Sequence, residues 1–181
     1  MDASVPLFRL YQPRQPALAL GLATHYLMTK PAFANLKFGE WSRVLTGQIN
    51  RRHFCFAIDA ANRIVGFAGW AATTRDKAEA WLESSAPLSN ADSIAGDCLI
   101  FNAWSADSLA VHRFMVDEAR KLIRDKETLY FRRFYADGTF RSVRLNVNDF
   151  VGSHIARRGA GPEPSPGLPH PNMSPNEELT P

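Results

Sequence analysis

Apolar residues recur at helical spacing soon after the start of the chain. Leu18, Leu20, Leu22, Tyr26 and Leu27 form one stripe beginning at Ala17, and it stops before Pro31 because the residue ahead of a proline disfavours helical geometry. Pro31 to Gly39 then reads as a loop. Glu40 to Asn50 repeats the helical pattern, with Trp41, Val44, Leu45 and Gln48 on adjoining turns. Two strands follow, His53 to Ile58 and Ile64 to Ala71, joined by the turn residues Asp59-Ala60-Ala61-Asn62. Thr74 stands where it can cap a third helix running through Ala78, Trp81 and Leu82 towards Pro87. Cys98 to Trp104 is apolar nearly throughout, which suits a central strand covered on both faces. Ser108 can cap a long helix carrying Leu109, Val111, Met115, Ala119 and Leu122, with Lys121 and Arg124 in its last turn, where positive charge offsets the helix dipole. Thr128 to Tyr135 and Thr139 to Leu145 alternate around Asp137-Gly138, a hairpin signal. This order predicts an α/β protein: a mixed, largely antiparallel sheet with helices on both faces.

The ends of the chain read differently. Pro6, Pro13 and Pro16 interrupt regular structure in residues 1–16, which read as an extended lead-in to a domain over residues 17–158. Residues 159–181 hold seven of the chain's 12 prolines and few large apolar residues, so burial cannot offset the entropy of ordering and a disordered tail is expected.

Composition narrows the class. A hydrophobic content of 45% supports a real core. The two cysteines, Cys55 and Cys98, lie in apolar strands, and no closely spaced Cys/His group suits zinc, so a reduced, cytoplasmic protein is expected. Met1 to Arg14 carries prolines and charge where a secretory signal needs a continuous apolar run, and no segment approaches the length of a membrane span. The net charge is +3. Three of the 18 acidic residues, Glu163, Glu177 and Glu178, fall in the tail, which has no Lys or Arg, so residues 1–158 carry +6. Such a surface can attract an acidic partner. No helix-turn-helix, RNP or zinc pattern accompanies the charge, and a nucleic-acid module is not expected.

A family resemblance comes from the succession of motifs. From Leu20 to Ala71 the order is Leu-Gly, an apolar helix, Lys-Pro-Ala-Phe, a second helix ending Gln-Ile-Asn, and a strand pair closing on Gly-Trp-Ala. Gly96-Asp97 then leads a strand ending at Trp104, and Phe140-Arg141-Ser142-Val143-Arg144-Leu145 closes the pattern. Taken together these resemble the bacterial RTX-toxin-activating lysine acyltransferases. The resemblance implies a GNAT-like fold, transfer of a fatty acyl group from acyl-carrier protein to a protein lysine, and a homodimer. It leaves the acceptor protein unknown. In that family a histidine follows the proline of the first loop by two residues, and an aspartate immediately precedes the tryptophan of the central strand. Phe33 and Ala103 stand at those places here.

Acyl transfer to a lysine amine requires a base for the ammonium and donors for the developing oxyanion. Phe33 can take no proton, and Ala103 can neither orient an imidazole nor balance its charge. Two readings follow: a transferase with an altered residue set, or a pseudoenzyme whose cleft binds an acyl carrier, lipid or protein without transfer. His25 is one replacement candidate, if the loop folds back over the end of its helix; otherwise it is a helix-surface histidine. Asn102 is the other. Strand alternation points it away from Ala103 unless a one-residue bulge intervenes. Phe33, Trp70, Ala103 and Trp104 are the candidate substrate-binding set, with core packing as the alternative role for the tryptophans. No cofactor is expected. A coenzyme A site would show glycines after the central strand, presenting N–H groups to phosphate, whereas Ser105-Ala106-Asp107-Ser108 offers a carboxylate. Acyl-carrier protein remains the candidate donor, and Arg132, Arg133, Arg141 and Arg144, with the doublets Arg51-Arg52 and Arg157-Arg158, are candidates for an acidic dock or an ordinary solvated face.

Overall fold

One six-stranded sheet, its strands in chain order, carries the whole architecture. The computed structural model describes residues 7–135 and 139–147. The elements are β1 (Phe8–Tyr11), α1 (Pro16–Met28), α2 (Pro31–Ala34), α3 (Phe38–Asn50), β2 (Phe54–Asp59), β3 (Ile64–Thr73), α4 (Arg75–Ser84), β4 (Cys98–Ala106), α5 (Leu109–Ile123), β5 (Thr128–Phe134) and β6 (Phe140–Asn146). Every neighbouring pair is antiparallel except β4 and β5, which run parallel. The sheet is therefore mixed and largely antiparallel, with helices on both faces. The expected tail over residues 159–181, the Asp137-Gly138 turn and Arg157-Arg158 lie outside the described residues.

Local chemistry explains most boundaries. Pro16 opens α1 at the first helical position, where its missing N–H costs nothing, one residue earlier than the apolar stripe suggests. Pro31 does the same for α2, a single turn inside the segment read as loop. Asp59 builds the β2–β3 turn by accepting from the backbone of Ala61 at 3.0 Å and Arg63 at 2.9 Å. Asn62 there adopts φ 60°. Ser108 caps α5 by accepting from the Val111 N–H at 3.2 Å. Thr74 occupies the cap position of α4 without a side-chain bond. Within the lead-in, Phe8–Tyr11 forms the edge strand β1, paired with β2 from Phe8↔Asp59 to Tyr11↔Phe56.

The two faces of the sheet hold separate cores. On one, α1 and α3 cover Phe54, Phe56 and Phe67, whose rings meet at 5.2 to 6.4 Å, while α4 covers Cys98, Ile100 and Tyr130. On the other, α5 lays Val111, Met115 and Ile123 over Ala68, Trp70, Leu99 and Phe101. Burial of each large side chain is worth roughly 1.5–3 kcal/mol. Leu109 and Val44, counted in apolar stripes from the sequence, are exposed instead.

The central strand has two irregularities. Its pairing with β5 runs only from Cys98↔Thr128 to Phe101↔Phe131, although β4 continues to Ala106 and β5 to Phe134, so the strands part company beyond Phe101. On its other side Gly69 pairs with Ala103 and Trp70 with Phe101, leaving Asn102 without a partner in the ladder.

Candidate functional site

The unpaired Asn102 is a β-bulge, and a bulge breaks the alternation of side chains along a strand. Phe101 and Trp104, which flank it, both face α5, with their rings 5.3 Å apart and edge to face. Ala103 packs into the core under α1 and α3, and Asn102 reaches Gln48 of α3. Asn102 and Ala103 thus share the α3 side, the arrangement that plain alternation excludes and a one-residue bulge permits.

Gln48 completes this inlay. It is fully buried on α3, and its Nε2 donates to Asn102 Oδ1. Its own Oε1 has no hydrogen-bond partner. The amide lies against Gly69 of β3, where a Cβ would collide with it. Three elements therefore converge on two amides within an otherwise apolar layer.

Phe33 and Ala103 belong to the same hydrocarbon region. Phe33 is half-buried on α2, with its ring 6.5 Å from Trp41, and packs against the cluster that contains Trp41, Leu45 and Ala103. The described histidines are placed elsewhere. His25 is exposed on α1. His112 accepts from Trp104 Nε1 at 3.2 Å. His53 stacks on Trp70 with the rings 6.0 Å apart. Burial, reinforced by the charge of Arg51, lowers its affinity for a proton, and its Nδ1 is buried without a partner.

Trp70 and Trp104 come together on the opposite face. They wall an apolar groove of about 270 Å³ between the sheet and α5, shared with Phe101, Met115, Ala119 and Leu122. This size approaches the lower end, about 300 Å³, of small-molecule sites. Glu118 and Cys55 also line it. Burial, with the nearby Glu118 carboxylate, pushes the Cys55 thiol up to about 12. It stays protonated and cannot serve as a nucleophile. The four candidate substrate-binding residues are thereby split, Phe33 and Ala103 under α1–α3, Trp70 and Trp104 under α5.

The start of α5 is already occupied by a carboxylate. Asp107 accepts from the Tyr26 hydroxyl at 2.7 Å and pairs with Lys30 at 2.6 Å, while the Lys30 ammonium lies 4.3 Å over the Tyr26 ring. Burial, and after it the contact with Asp107, raises the Tyr26 phenol well above its ordinary value and keeps it a donor. At this helix N-terminus the carboxylate is already held in an ion pair with Lys30.

The arginine face is likewise partly spoken for. Arg132 donates to the carbonyls of Trp81 at 2.6 Å and Leu82 at 3.3 Å and stacks 4.6 Å over the Trp81 ring. Arg144 pairs with Glu79 and Glu83. Arg51 and Arg52 bond Asn90 and Gln12, each at 2.5 Å. Arg133, over Tyr135, and Arg141 remain exposed on the hairpin. Among the described residues no helix is long and apolar enough to cross a membrane, and no group of three or more His, Cys, Asp or Glu side chains could hold a metal ion.

The sequence matches no protein-family model and no curated protein. Solved structures do match in fold. An agmatine N-acetyltransferase, a mutant in its apo form, superposes with a TM-score of 0.52 at 11% identity, over 84% of this chain and 82% of that one. The loading GNATL domain of CurA from Lyngbya majuscula gives 0.48 at 11% identity, over 71% of this chain and 66% of that domain. An acetyltransferase related to histone acetyltransferase HPA2 from Corynebacterium glutamicum gives 0.43 at 12% identity, over 91% and 93%. At such identities the likeness is one of fold, and the fold is GNAT-like.

Proposed function

We infer that this chain binds a fatty acyl group, presented as the thioester of an acyl-carrier protein, with the chain lying in the groove beneath α5. The observation that carries this reading is the meeting of Trp70 and Trp104 in the walls of one apolar groove. The GNAT-like fold supports an acyl-handling role, and the exposed Arg133 and Arg141 offer charge to an acidic carrier.

Of the two forms that role can take, binding without transfer is favoured. Lysine acylation needs a base facing the reacting ammonium. The positions that supply base and carboxylate in the RTX-toxin-activating family are Phe33 and Ala103, packed in hydrocarbon, and the exposed His25 lies on the outer surface of α1. The transferase reading keeps its place because Asn102 shares a face with Ala103, where it can hold a carbonyl although it cannot remove a proton.

Radiolabelled palmitoyl-carrier protein mixed with the purified chain separates the outcomes. A stable complex, with tryptophan quenching and no label on lysine, is the expected result. Label on a lysine peptide or on the chain itself establishes transfer. Absence of both the complex and the quenching overturns the acyl-binding reading.

A further inference from the structure

Resting on that acyl-binding reading, we propose that Glu118 is a specificity-determining residue of the groove beneath α5: its carboxylate admits an acyl chain with a neutral head, as a thioester has, and turns away the free fatty acid. Among the described residues Glu118 is the only charged one that lines the groove. A fatty acid differs from its thioester by a full negative charge at the head of the chain, since a carboxyl group is ionised at neutral pH.

The position of Glu118 on α5 is what makes it informative. Met115, Glu118, Ala119 and Leu122 all line the groove, and their spacing is that of the single stripe which a covered helix face keeps apolar. A carboxylate set into that stripe loses hydration that an apolar side chain would not. Its ion pair does not account for it. Lys121 Nζ lies 2.6 Å from Glu118 Oε1, but the lysine side chain is 70% exposed against 25% for the glutamate, and such a pair on a helix surface contributes little. The positive partner therefore stands largely in water while the negative one borders the groove.

The amide and the indole in the same walls do not offset that charge. Gln12 donates to the carbonyls of Arg52 and Phe54 and accepts from the Arg52 guanidinium, and Trp104 gives its indole N–H to His112. Trp70, Phe101 and Trp104 offer the groove their aromatic rings, whose faces carry the negative end of a quadrupole. They side with Glu118 against an anion and favour a cation. The carboxylate is also felt inside the groove, where it adds to burial in keeping the Cys55 thiol protonated.

The test uses the full chain and three probes of one chain length, kept below their micelle concentrations and read by tryptophan emission: decanoyl-pantetheine, which is neutral, decanoate and decylammonium. The unaltered chain is expected to bind decanoate more weakly than decanoyl-pantetheine. Measured as ratios to the neutral probe, Glu118→Gln is expected to strengthen decanoate about five- to ten-fold and to weaken decylammonium by a similar factor, the worth of one charge in partly aqueous surroundings. Lys121→Ala, outside the groove, removes the counter-charge and is expected to shift both ratios the other way, about two- to three-fold. A loss of helix stability moves all probes in one direction, so opposite shifts for opposite charges separate selection from structure. Shifts of the same sign for decanoate and decylammonium, or ratios that Glu118→Gln leaves unmoved, overturn the proposal. Should Glu118→Gln fail to fold, Lys121→Ala decides alone, and unmoved ratios there overturn it equally. Failure of the unaltered chain to bind decanoyl-pantetheine removes the acyl-binding reading and this proposal together, whereas binding of the neutral probe with unmoved ratios removes only the latter.

Discussion

Gly69 on β3 and Gln48 on α3 share one volume: a Cβ on the glycine would fall inside the buried amide of the glutamine. Gly69→Ala must therefore displace a side chain that is fully enclosed and break its bond to Asn102. Overpacking of this kind costs about 1–3 kcal/mol. Urea denaturation should show that loss, and should show it shrink when Gln48→Ala vacates the space, because residues in contact couple. Strict additivity of the two changes would argue that they do not compete.

Ala119 lines the groove under α5. Ala119→Phe puts a ring into that space and should abolish quenching by palmitoyl-carrier protein while the circular dichroism of the fold persists. Undiminished binding by a folded Ala119→Phe protein would place the acyl chain elsewhere.

Arg132 closes the end of α4 through two carbonyls and Ser85 Oγ at 2.9 Å. Losing these bonds and the stacking on Trp81 should cost Arg132→Ala about 1–3 kcal/mol. Arg133→Ala and Arg141→Ala, on the exposed hairpin, should stay within about 0.5 kcal/mol. Carrier-protein affinity should show the reverse ranking, measured at a temperature where all three variants are folded.

His53 gives stability a dependence on pH. Its folded-state proton affinity is lowered, first by burial and then by Arg51, from the ordinary value of 6.5. The unfolded chain therefore binds the proton more readily. This contribution is fully present above pH 6.5 and is lost as the pH falls through the lower, folded value. Melting temperatures of the wild type and His53→Gln should converge as the pH drops from about 7 to about 5, and parallel curves would exclude His53 as the source.

Much of the fold was legible because its signals are local. Pro31 and Ser108 mark helix boundaries, Asp59-Ala60-Ala61-Asn62 marks a turn, and the continuous apolar run from Cys98 marks a strand covered on both sides. β1 was harder to see: four residues between prolines gain their strand character from pairing with β2, a long-range contact that no local pattern encodes. The site was legible only in part. Trp70 and Trp104, which the sequence places on adjoining strands, line one groove. Their separation from Phe33 and Ala103 depends on which way each residue faces, and that turns on the bulge. By its spacing Gln48 is one more position on the buried face of a helix. A polar residue at a core position of α3, opposite a glycine in a strand, was the available signal.

The parting of β4 from β5 divides the sheet into two leaves. The strands β1 to β4 form one, the hairpin β5–β6 the other, and the seam between them is four residue pairs long, Cys98 to Phe101. A short seam leaves few backbone hydrogen bonds between the two leaves. Side chains also join the leaves, α4 packing on Ile100 of β4 and Tyr130 of β5 and accepting from Arg132, while the seam itself carries few of the sheet's backbone bonds. Amide exchange should register this as early loss of protection along the seam, with the interiors of both leaves still closed.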